Sequence, residues 1–385
     1  MSTSAEEYLK GYVAIPSLNP MGRSDQPAEW VGEARLASHI QEQLRTLGVD
    51  VKLVGSPDRP SVMGVVQCGR PDADTVMVAS HLDTVPIDGM EIPAFDPSIS
   101  GGRLSGRGSC DTKSGMAALM AALGRVLERG TLRRNLILVG ESDEELGSRG
   151  VEDVLGALGR DRPDWVLATE PTELRIAHKH KGVALIRLEA TGRACHSSNP
   201  LEGRNALLSL SHAAIALEEL ARRLGENPDP ELGPGTLSVG QMGGGQAPNI
   251  VPDSGFLVAD RRLLPGETVE HVRTQVEEAL SQAGLSDDVA LVACGMGKPP
   301  LSPSVDHFSV HQCRRALTAA GLDSETGVVA FGTDAGVFER SGLPGVVMGP
   351  GSIRQAHTST EYVELDQVRA MTDFFEALLS SEGAG

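Results

Sequence analysis

Aromatic residues are scarce in this 385-residue sequence, since phenylalanine, tryptophan and tyrosine together make up only 3% of it. The core must therefore consist mainly of aliphatic side chains, which the 40% hydrophobic content supplies. Basic residues are also few, with 34 Lys and Arg against 52 Asp and Glu and a net charge of −18. Because so acidic a surface repels phosphate groups, nucleic acid and membrane partners are disfavoured.

Two further absences concern the location of the protein. The N-terminus lacks the basic and apolar regions of a secretory leader, and no apolar run approaches the roughly 20 residues that span a membrane. The five cysteines are scattered without a Cys-x-x-Cys pair, which argues against a disulfide framework or a zinc ribbon. These features predict a soluble cytoplasmic protein.

Hydrophobic patterning predicts an α/β fold in the first part of the chain. Short apolar runs at 75–80, 135–140 and 165–169 are typical of buried strands, and helical patterns occur at 28–47 and 116–129. Strands that alternate with helices predict a mostly parallel sheet flanked by helices. In such sheets, ligands bind beyond the carboxyl ends of the strands.

The pattern changes between residues 182 and 297. Predicted elements there follow the order β-α-β-β-α-β, which is the ferredoxin-like arrangement. The mixed pattern then returns, with predicted helices at 305–320 and 366–379 and strands at 328–331 and 345–348. We therefore expect an α/β domain in two parts, 1–181 and 298–385, interrupted by an inserted α+β domain at 182–297.

Histidine and acidic residues cluster where predicted strands end. His81 and Asp83 follow the first apolar run, Glu144 and Glu145 follow the second, and Glu170 follows the third. Carboxyl ends of parallel strands meet at one edge of a sheet, so these side chains are expected to converge there.

Two loops that contain glycine provide further candidates. Asp111 lies in GRGSCDTKSG, directly before a helix, and His357 ends GPGSIRQAH. Either residue alone has an ordinary structural explanation, such as a helix cap for Asp111. Together, the clusters supply two imidazoles and at least three carboxylates, a mixed nitrogen and oxygen set suited to zinc or a similar divalent ion. A metal hydrolase is the leading interpretation.

Motifs along nearly the whole chain resemble those of the M20 metallopeptidase and deacylase family, most closely the acetylornithine deacetylase and succinyl-diaminopimelate desuccinylase branch. The motifs are HLDTVP at 81, GRGSCDTKSG at 106, DEELGS at 143, TEPTE at 169, GRACHSSNPLEGRNA at 192, NIVPD at 249, DRRLLPGE at 260 and GPGSIRQAH at 349. The resemblance implies that the inserted domain is a lid and dimerisation domain, and that the protein is a homodimer.

The resemblance also implies a centre of two divalent ions per subunit, which we expect to be zinc, with cobalt and manganese as alternatives. Asp111 would bridge the two ions. His81 and Glu170 would complete the ligands of one ion, and Glu145 and His357 those of the other.

Catalytic roles follow from the same resemblance. Glu144 would be the general base, Asp83 would hold His81 in the correct tautomer, and His196 would reach into the site of the partner subunit to stabilise the carbonyl oxygen. The predicted binding residues for the amino-acid part of the substrate are Arg262, Asn249, Gly349, Gly351 and Ser352.

The expected reaction is removal of an N-acyl group from an amino acid, of the acetylornithine deacetylase type. Thr112 and Ser114 stand where Met and Gly are typical, and residues 358–360 replace a more basic stretch. Desuccinylase, aminoacylase and dipeptidase or carboxypeptidase activities therefore stay open, as does a catalytically silent binding homologue.

Two other enzyme classes are disfavoured. A nucleotide-binding P-loop would need Gly where Thr112 precedes the lysine. A cysteine hydrolase that used Cys110 would need a nearby histidine and a low thiol pKa.

Overall fold

The computed structural model describes residues 3–159 and 162–382 of the chain. The chain forms two compact units. The first contains Met1–Lys179, Pro303–Val328 and Thr333–Gly385, and the second contains His180–Ser302 and Val329–Gly332. The second unit thus interrupts the sequence of the first, and the predicted insert at 182–297 lies within its longer segment.

Strands and helices alternate through most of the chain. The strands are β1 (Asp50–Ser56), β2 (Arg59–Val66), β3 (Thr75–His81), β4 (Ser98–Ser100), β5 (Arg103–Ser105), β6 (Asn135–Glu141), β7 (Trp165–Ala168), β8 (Ile176–His180), β9 (Gly182–Thr191), β10 (Thr236–Gly244), β11 (Ser254–Leu263), β12 (Val289–Lys298), β13 (Thr326–Val329), β14 (Gly345–Val347) and β15 (Tyr362–Glu364). The helices are α1 (Ala5–Val13), α2 (Ala34–Thr46), α3 (Lys113–Arg129), α4 (Arg149–Leu158), α5 (Ala206–Leu224), α6 (Val269–Gln282), α7 (Phe308–Ala319), α8 (Asp334–Arg340) and α9 (Leu365–Ser380).

An eight-stranded sheet forms the centre of the first unit, in the order β1-β2-β6-β3-β7-β14-β8-β13. Its four middle strands, β6, β3, β7 and β14, are parallel, whereas β1 and β2 pair antiparallel. Strands β3, β6 and β7 are almost wholly buried, as expected for a parallel sheet covered on both faces. The carboxyl ends of the parallel strands therefore share one edge.

Helix α3 is the most deeply buried helix of the core in the first unit. It is buried from Lys113 to Gly124, and α1 and α9 pack against it. The two adjacent phenylalanines of α9, Phe374 and Phe375, are fully buried in the same cluster. Within the described ranges, no helix combines the length and apolar composition that crossing a membrane requires.

The second unit is a four-stranded antiparallel sheet in the order β10-β11-β9-β12, with α5 and α6 packed against it. Along β9, buried residues alternate with more exposed ones, so one face of the strand contributes to the core. The element order β9-α5-β10-β11-α6-β12 is the predicted ferredoxin-like one. The predicted fold class, a mostly parallel sheet flanked by helices with an inserted α+β domain, is confirmed.

Some element predictions were wrong in extent. The helix predicted over 28–47 begins only at Ala34, because Leu18 pairs with Val31 and Gly32 has a φ of +85°. Helix α1 was not predicted, although Ser4 and Glu7 form its capping box. The hairpin of β1 and β2 was also missed. β1 is mostly exposed and lacks an apolar run, whereas β2 is mostly buried.

A substitution of Gly115, in the first turn of α3, tests how closely this helix packs against the sheet. A methyl group there would lie 2.3 Å from Thr169 Oγ1 and 2.4 Å from Thr169 Cβ. We expect Gly115→Ala to lower the free energy of unfolding by about 1–3 kcal/mol in urea denaturation, because the buried Thr169 must move. Gly156→Ala is the control, since nothing lies within 4 Å of a methyl group at that helical position. It should raise stability by up to about 1 kcal/mol, and equal effects of the two changes would contradict the packing.

Candidate metal centre

Three neighbouring parallel strands bring polar side chains to the same edge of the sheet. His81 is the last residue of β3 and is paired in register with Glu141, the last residue of β6. Glu170 follows two residues after the end of β7. His81 and Glu170 are both buried. The expected convergence at the carboxyl ends of the strands is therefore present in the structure.

His81 and Asp111 are in direct contact. His81 Nε2 lies 3.0 Å from Asp111 Oδ1. The other ring nitrogen, Nδ1, lies 2.9 Å from the main-chain oxygen of Asp83 and 3.5 Å from Asp83 Oδ1. A proton on Nδ1 can therefore be donated to that carbonyl, which leaves Nε2 available to bind a metal ion. Asp83 thus contacts His81 more closely through its main chain than through its carboxylate.

The second oxygen of Asp111 faces a different histidine. His357 Nε2 lies 3.3 Å from Asp111 Oδ2 and 3.2 Å from Glu145 Oε1. His357 has a φ of +61° and a half-exposed side chain, whereas Asp111 is buried. Asp111 therefore lies between two imidazoles, with one carboxylate oxygen directed at each.

The chemistry of these donors fits a divalent cation. One ligand atom from each of His81, Asp111 and Glu145 can be chosen so that all three lie within 4.8 Å of one another. Imidazole nitrogen and carboxylate oxygen form the usual ligand set of zinc in hydrolases. His357 contacts two members of this group, and Glu170 lies close enough to His81 to affect its charge.

The acidic surroundings favour protonated imidazoles when no cation is bound. Burial disfavours the charged form of His81, but hydrogen bonds to Asp111 and Asp83 and the charges of Glu170 and Glu144 raise its pKa well above the usual value. Hydrogen bonds to Asp111 and Glu145 raise the pKa of His357 to about 11. Burial opposes ionisation of Asp111, yet its hydrogen bonds to the two histidines keep its pKa well below the ordinary range.

Asp83 holds the loop that carries Glu144 and Glu145. Its Oδ1 accepts the main-chain N–H of Glu144 at 3.1 Å, and its Oδ2 accepts that of Glu145 at 3.1 Å. The buried Asn19 also donates to Asp83 Oδ2, at 2.9 Å. Asp83 therefore connects the end of β3 to the loop after β6, a role that sequence analysis did not predict.

The turn at Asp143 is held by several polar contacts. Asp143 has a φ of +64°, which is uncommon for residues other than glycine, although aspartate adopts it more often than most. Asn19 Nδ2 donates to its Oδ1 at 3.1 Å, Arg149 Nε donates to its Oδ2 at 2.6 Å, and its N–H donates to Glu33 at 3.0 Å. Burial and the charge of Asp83 raise the pKa of Glu33 to about 8. Nothing in the sequence marked Asn19 or Glu33, because both lie outside the recognisable motifs.

In the glycine-rich loop at 349–352, two main-chain N–H groups already donate hydrogen bonds within the protein. Gly349 N–H donates to Thr172 Oγ1 at 3.2 Å, and Gly351 N–H donates to Gln367 Oε1 at 2.7 Å. These two N–H groups are engaged, so the prediction that this loop binds substrate now depends mainly on Ser352.

The remaining predicted residues belong to the second unit. The segments of His196 and Asn249 are adjacent, since His196 forms a β-bridge with Ile250 and Ser197 N–H donates to Asn249 O at 3.0 Å. His196 is exposed, and its Nδ1 lies 2.7 Å from Ser198 Oγ. Arg262 on β11 is partly exposed and donates from Nε to Asp260 Oδ1 at 2.8 Å.

Comparison with known proteins agrees with this geometry. Residues 77–381 match the model of the peptidase family M20/M25/M40. The chain belongs to this family. As an M20 protein it is a metallohydrolase, and the predicted family membership is confirmed.

Individual M20 relatives cover most of the chain. An acetylornithine deacetylase from Myxococcus xanthus is 33% identical over 296 residues, which is 76% of this chain and 76% of that one. An M20 metallo-carboxypeptidase from Sulfolobus solfataricus has the same fold, with a TM-score of 0.80, 21% identity and coverage of 98% and 99% of the two chains. A dinuclear metal-binding M20 peptidase from Bacillus subtilis has a TM-score of 0.67 at 15% identity, over 98% of this chain and 96% of its own.

Metal binding should release protons. A histidine must be neutral to bind a metal ion, whereas the pKa of His81 is raised well above its usual value and that of His357 to about 11, so both should carry a proton at pH 7 before the metal binds. Titration calorimetry with Zn²⁺ at pH 7, in buffers of different ionisation enthalpy, should show about two protons released. The affinity should increase as the pH rises, because fewer protons then have to be displaced.

Variants identify the source of these protons. His357→Gln should release about one proton fewer than the wild type. His212→Gln, which changes an exposed histidine on α5, should release the wild-type number. A heat of binding that is the same in every buffer would show that both ligands are neutral before the metal binds.

Proposed function

We propose that the protein is a metal-dependent amidohydrolase that removes an N-acyl group from an amino acid, as an acetylornithine deacetylase does. The observation that carries this proposal is the position of Asp111 between His81 and His357, with Glu144 and Glu145 on the adjoining loop. The 33% identity to an acetylornithine deacetylase supports the choice of substrate class.

Two divalent ions, with zinc first and cobalt or manganese as alternatives, are the proposed cofactors. Asp111 would contact both ions, because its Oδ1 faces His81 and its Oδ2 faces His357. His81 and Glu170 would bind one ion, and Glu145 and His357 the other. When bound, such ions lower the pKa of a shared water and polarise the acyl carbonyl.

Glu144 is the proposed general base. Its main chain is fixed by Asp83 Oδ1, and the residue is buried at the edge of the ligand cluster. Glu144 would accept a proton from the water as the oxygen attacks the acyl carbon. It would return that proton to the amine nitrogen as the C–N bond breaks, so that one carboxylate serves both proton transfers.

Residues of the second unit are proposed to bind the substrate. His196 of the partner subunit would donate a hydrogen bond to the carbonyl oxygen, which gains negative charge during attack. Arg262 would bind the carboxylate of the amino acid, since a guanidinium can form two parallel bonds to it. Asn249, beside His196, would help to position the amino-acid part of the substrate. The loop of Gly349, Gly351 and Ser352, which belongs to the first unit, would contribute mainly through Ser352.

A hydrolysis panel with added Zn²⁺, Co²⁺ or Mn²⁺ tests this function. The substrates are N-acetylornithine, N-succinyl-diaminopimelate, several N-acyl amino acids and dipeptides. N-acetylornithine should be cleaved fastest. Glu144→Gln should lower kcat by about 10²- to 10⁴-fold because the proton acceptor is lost, while metal content measured by elemental analysis stays the same.

Glu152→Gln is the control for this variant, because Glu152 is an exposed residue on the neighbouring helix α4. It should retain wild-type activity. Fastest cleavage of a dipeptide would identify a peptidase instead, and no cleavage of any substrate by the metal-loaded protein would indicate a silent homologue. Substantial activity of Glu144→Gln would remove Glu144 from its role.

A homodimer formed through the second unit is also proposed. β10 is an edge strand of the four-stranded sheet, and α5 packs beside it. Both present large apolar side chains to solvent: Leu208 and Ile215 on α5 are 59% and 63% exposed, and Met242 on β10 is 49% exposed. An open strand edge with adjacent apolar residues is suited to pairing with a second copy.

Sedimentation velocity tests the dimer. The wild type should sediment as a dimer, and Ile215→Glu should shift it to the monomer because a charge would be buried at the interface. Leu53→Glu is the control, since Leu53 is an exposed leucine on β1 in the first unit. A monomeric wild type, or a dimer that is unaffected by Ile215→Glu, would contradict this assembly.

A further inference from the structure

Glu361 is a buried carboxylate that no proposed step of the reaction uses. It is fully buried and lies four residues after His357, directly before β15. Carboxylates are rarely buried unless they are paired, so its partners indicate what it does.

Its hydrogen bonds lead to the loop that carries Asp111. Oε1 accepts the main-chain N–H groups of Cys110 at 2.9 Å and Asp111 at 3.1 Å. Oε2 accepts the N–H of Gly108 at 3.1 Å and Arg107 Nη1 at 2.6 Å. Two oxygens thus receive four donors from four positions of one loop.

The loop is shaped to present these donors. Gly108 has a φ of +84°, and a Cβ there would lie 2.8 Å from Thr84 Cγ2 and 3.1 Å from Lys113 side-chain carbons. A left-handed residue within a short loop turns successive N–H groups toward a common point, which favours an anion there. The main chain contributes as well, since Gly106 N–H donates to Glu361 O at 3.1 Å.

Glu361 therefore connects two segments that each carry a candidate metal ligand. One is the loop that ends at Asp111, and the other is the segment that begins at His357. The contact between His357 Nε2 and Asp111 Oδ2, at 3.3 Å, depends on the relative position of these two segments. Arg107 balances the charge of Glu361, so this carboxylate can be buried near the acidic ligands.

We propose that Glu361 is a positioning residue of the metal centre, which fixes the Asp111 carboxylate between His81 and His357. The inference rests on the proposed function only in that the centre binds metal ions. Loss of a group that orients metal ligands in this way typically lowers metal affinity by about 10- to 100-fold.

Glu361→Gln keeps the shape of the side chain and removes its charge. An amide has only one acceptor oxygen, so in either orientation its NH₂ group faces two of the four donors. We expect the affinity for Zn²⁺, measured by competition with a chromophoric chelator, to fall by about 10- to 100-fold. The visible absorption spectrum of the Co²⁺-loaded protein should also change, because the ligand geometry around the ion changes.

Glu364→Gln is the matched control, at the end of the strand that directly follows Glu361. Glu364 Oε1 accepts Arg103 Nε at 2.8 Å in an exposed pair, so the same chemical change is made away from the loop. This variant should keep the wild-type affinity and Co²⁺ spectrum. If Glu361→Gln alone folds poorly, the double variant with Arg107→Met removes the unpaired cation and should still bind Zn²⁺ weakly.

The outcomes separate this proposal from the proposed reaction. A folded Glu361→Gln or double variant with wild-type Zn²⁺ affinity and Co²⁺ spectrum would overturn the positioning role. A wild type that binds metal but hydrolyses no N-acyl amino acid would overturn the reaction and leave the positioning role intact. A wild type that binds no metal would overturn both.

Discussion

Repulsion among carboxylates at one edge of the eight-stranded sheet is the constraint on which the site depends. Asp83, Glu144, Glu145 and Glu170 follow three of the parallel strands, and Asp111 lies in the loop between β5 and α3. All of them except Glu145 are buried. So many acidic groups in a low-dielectric environment are stable only with cationic partners or hydrogen-bond donors. The two imidazoles partly meet this need, and the ligand geometry suits a metal cation for the remainder.

The carboxylates divide into two groups according to their partners. Asp111 and Glu145 face imidazole nitrogens, which a metal ion can replace as the positive partner. Asp83 and Glu361 instead accept main-chain N–H groups, so their charge is balanced by the protein itself. This division explains how an acidic site keeps its shape: the second group fixes the backbone from which the first group projects.

Much of this arrangement could be predicted from the sequence because it follows from strand order. His81 ends one parallel strand and Glu170 follows the end of another, and such ends share an edge whatever the remaining topology is. The partners Asn19 and Glu33 could not be predicted in this way, since a contact between distant loop residues leaves no periodic pattern. Only the start of the helix predicted from residue 28 was wrong, and for a similar reason: the pairing of Leu18 with Val31 is a long-range contact that overrides local propensity.

The hydrogen bond from Asp111 N–H to Glu361 Oε1 joins residues that are 250 positions apart in the chain. During translation, the first strands and their acidic loops leave the ribosome well before the segment that completes their surroundings. A product that ends before His357 would lack both the imidazole that contacts Asp111 Oδ2 and the carboxylate that accepts the N–H groups of Cys110 and Asp111.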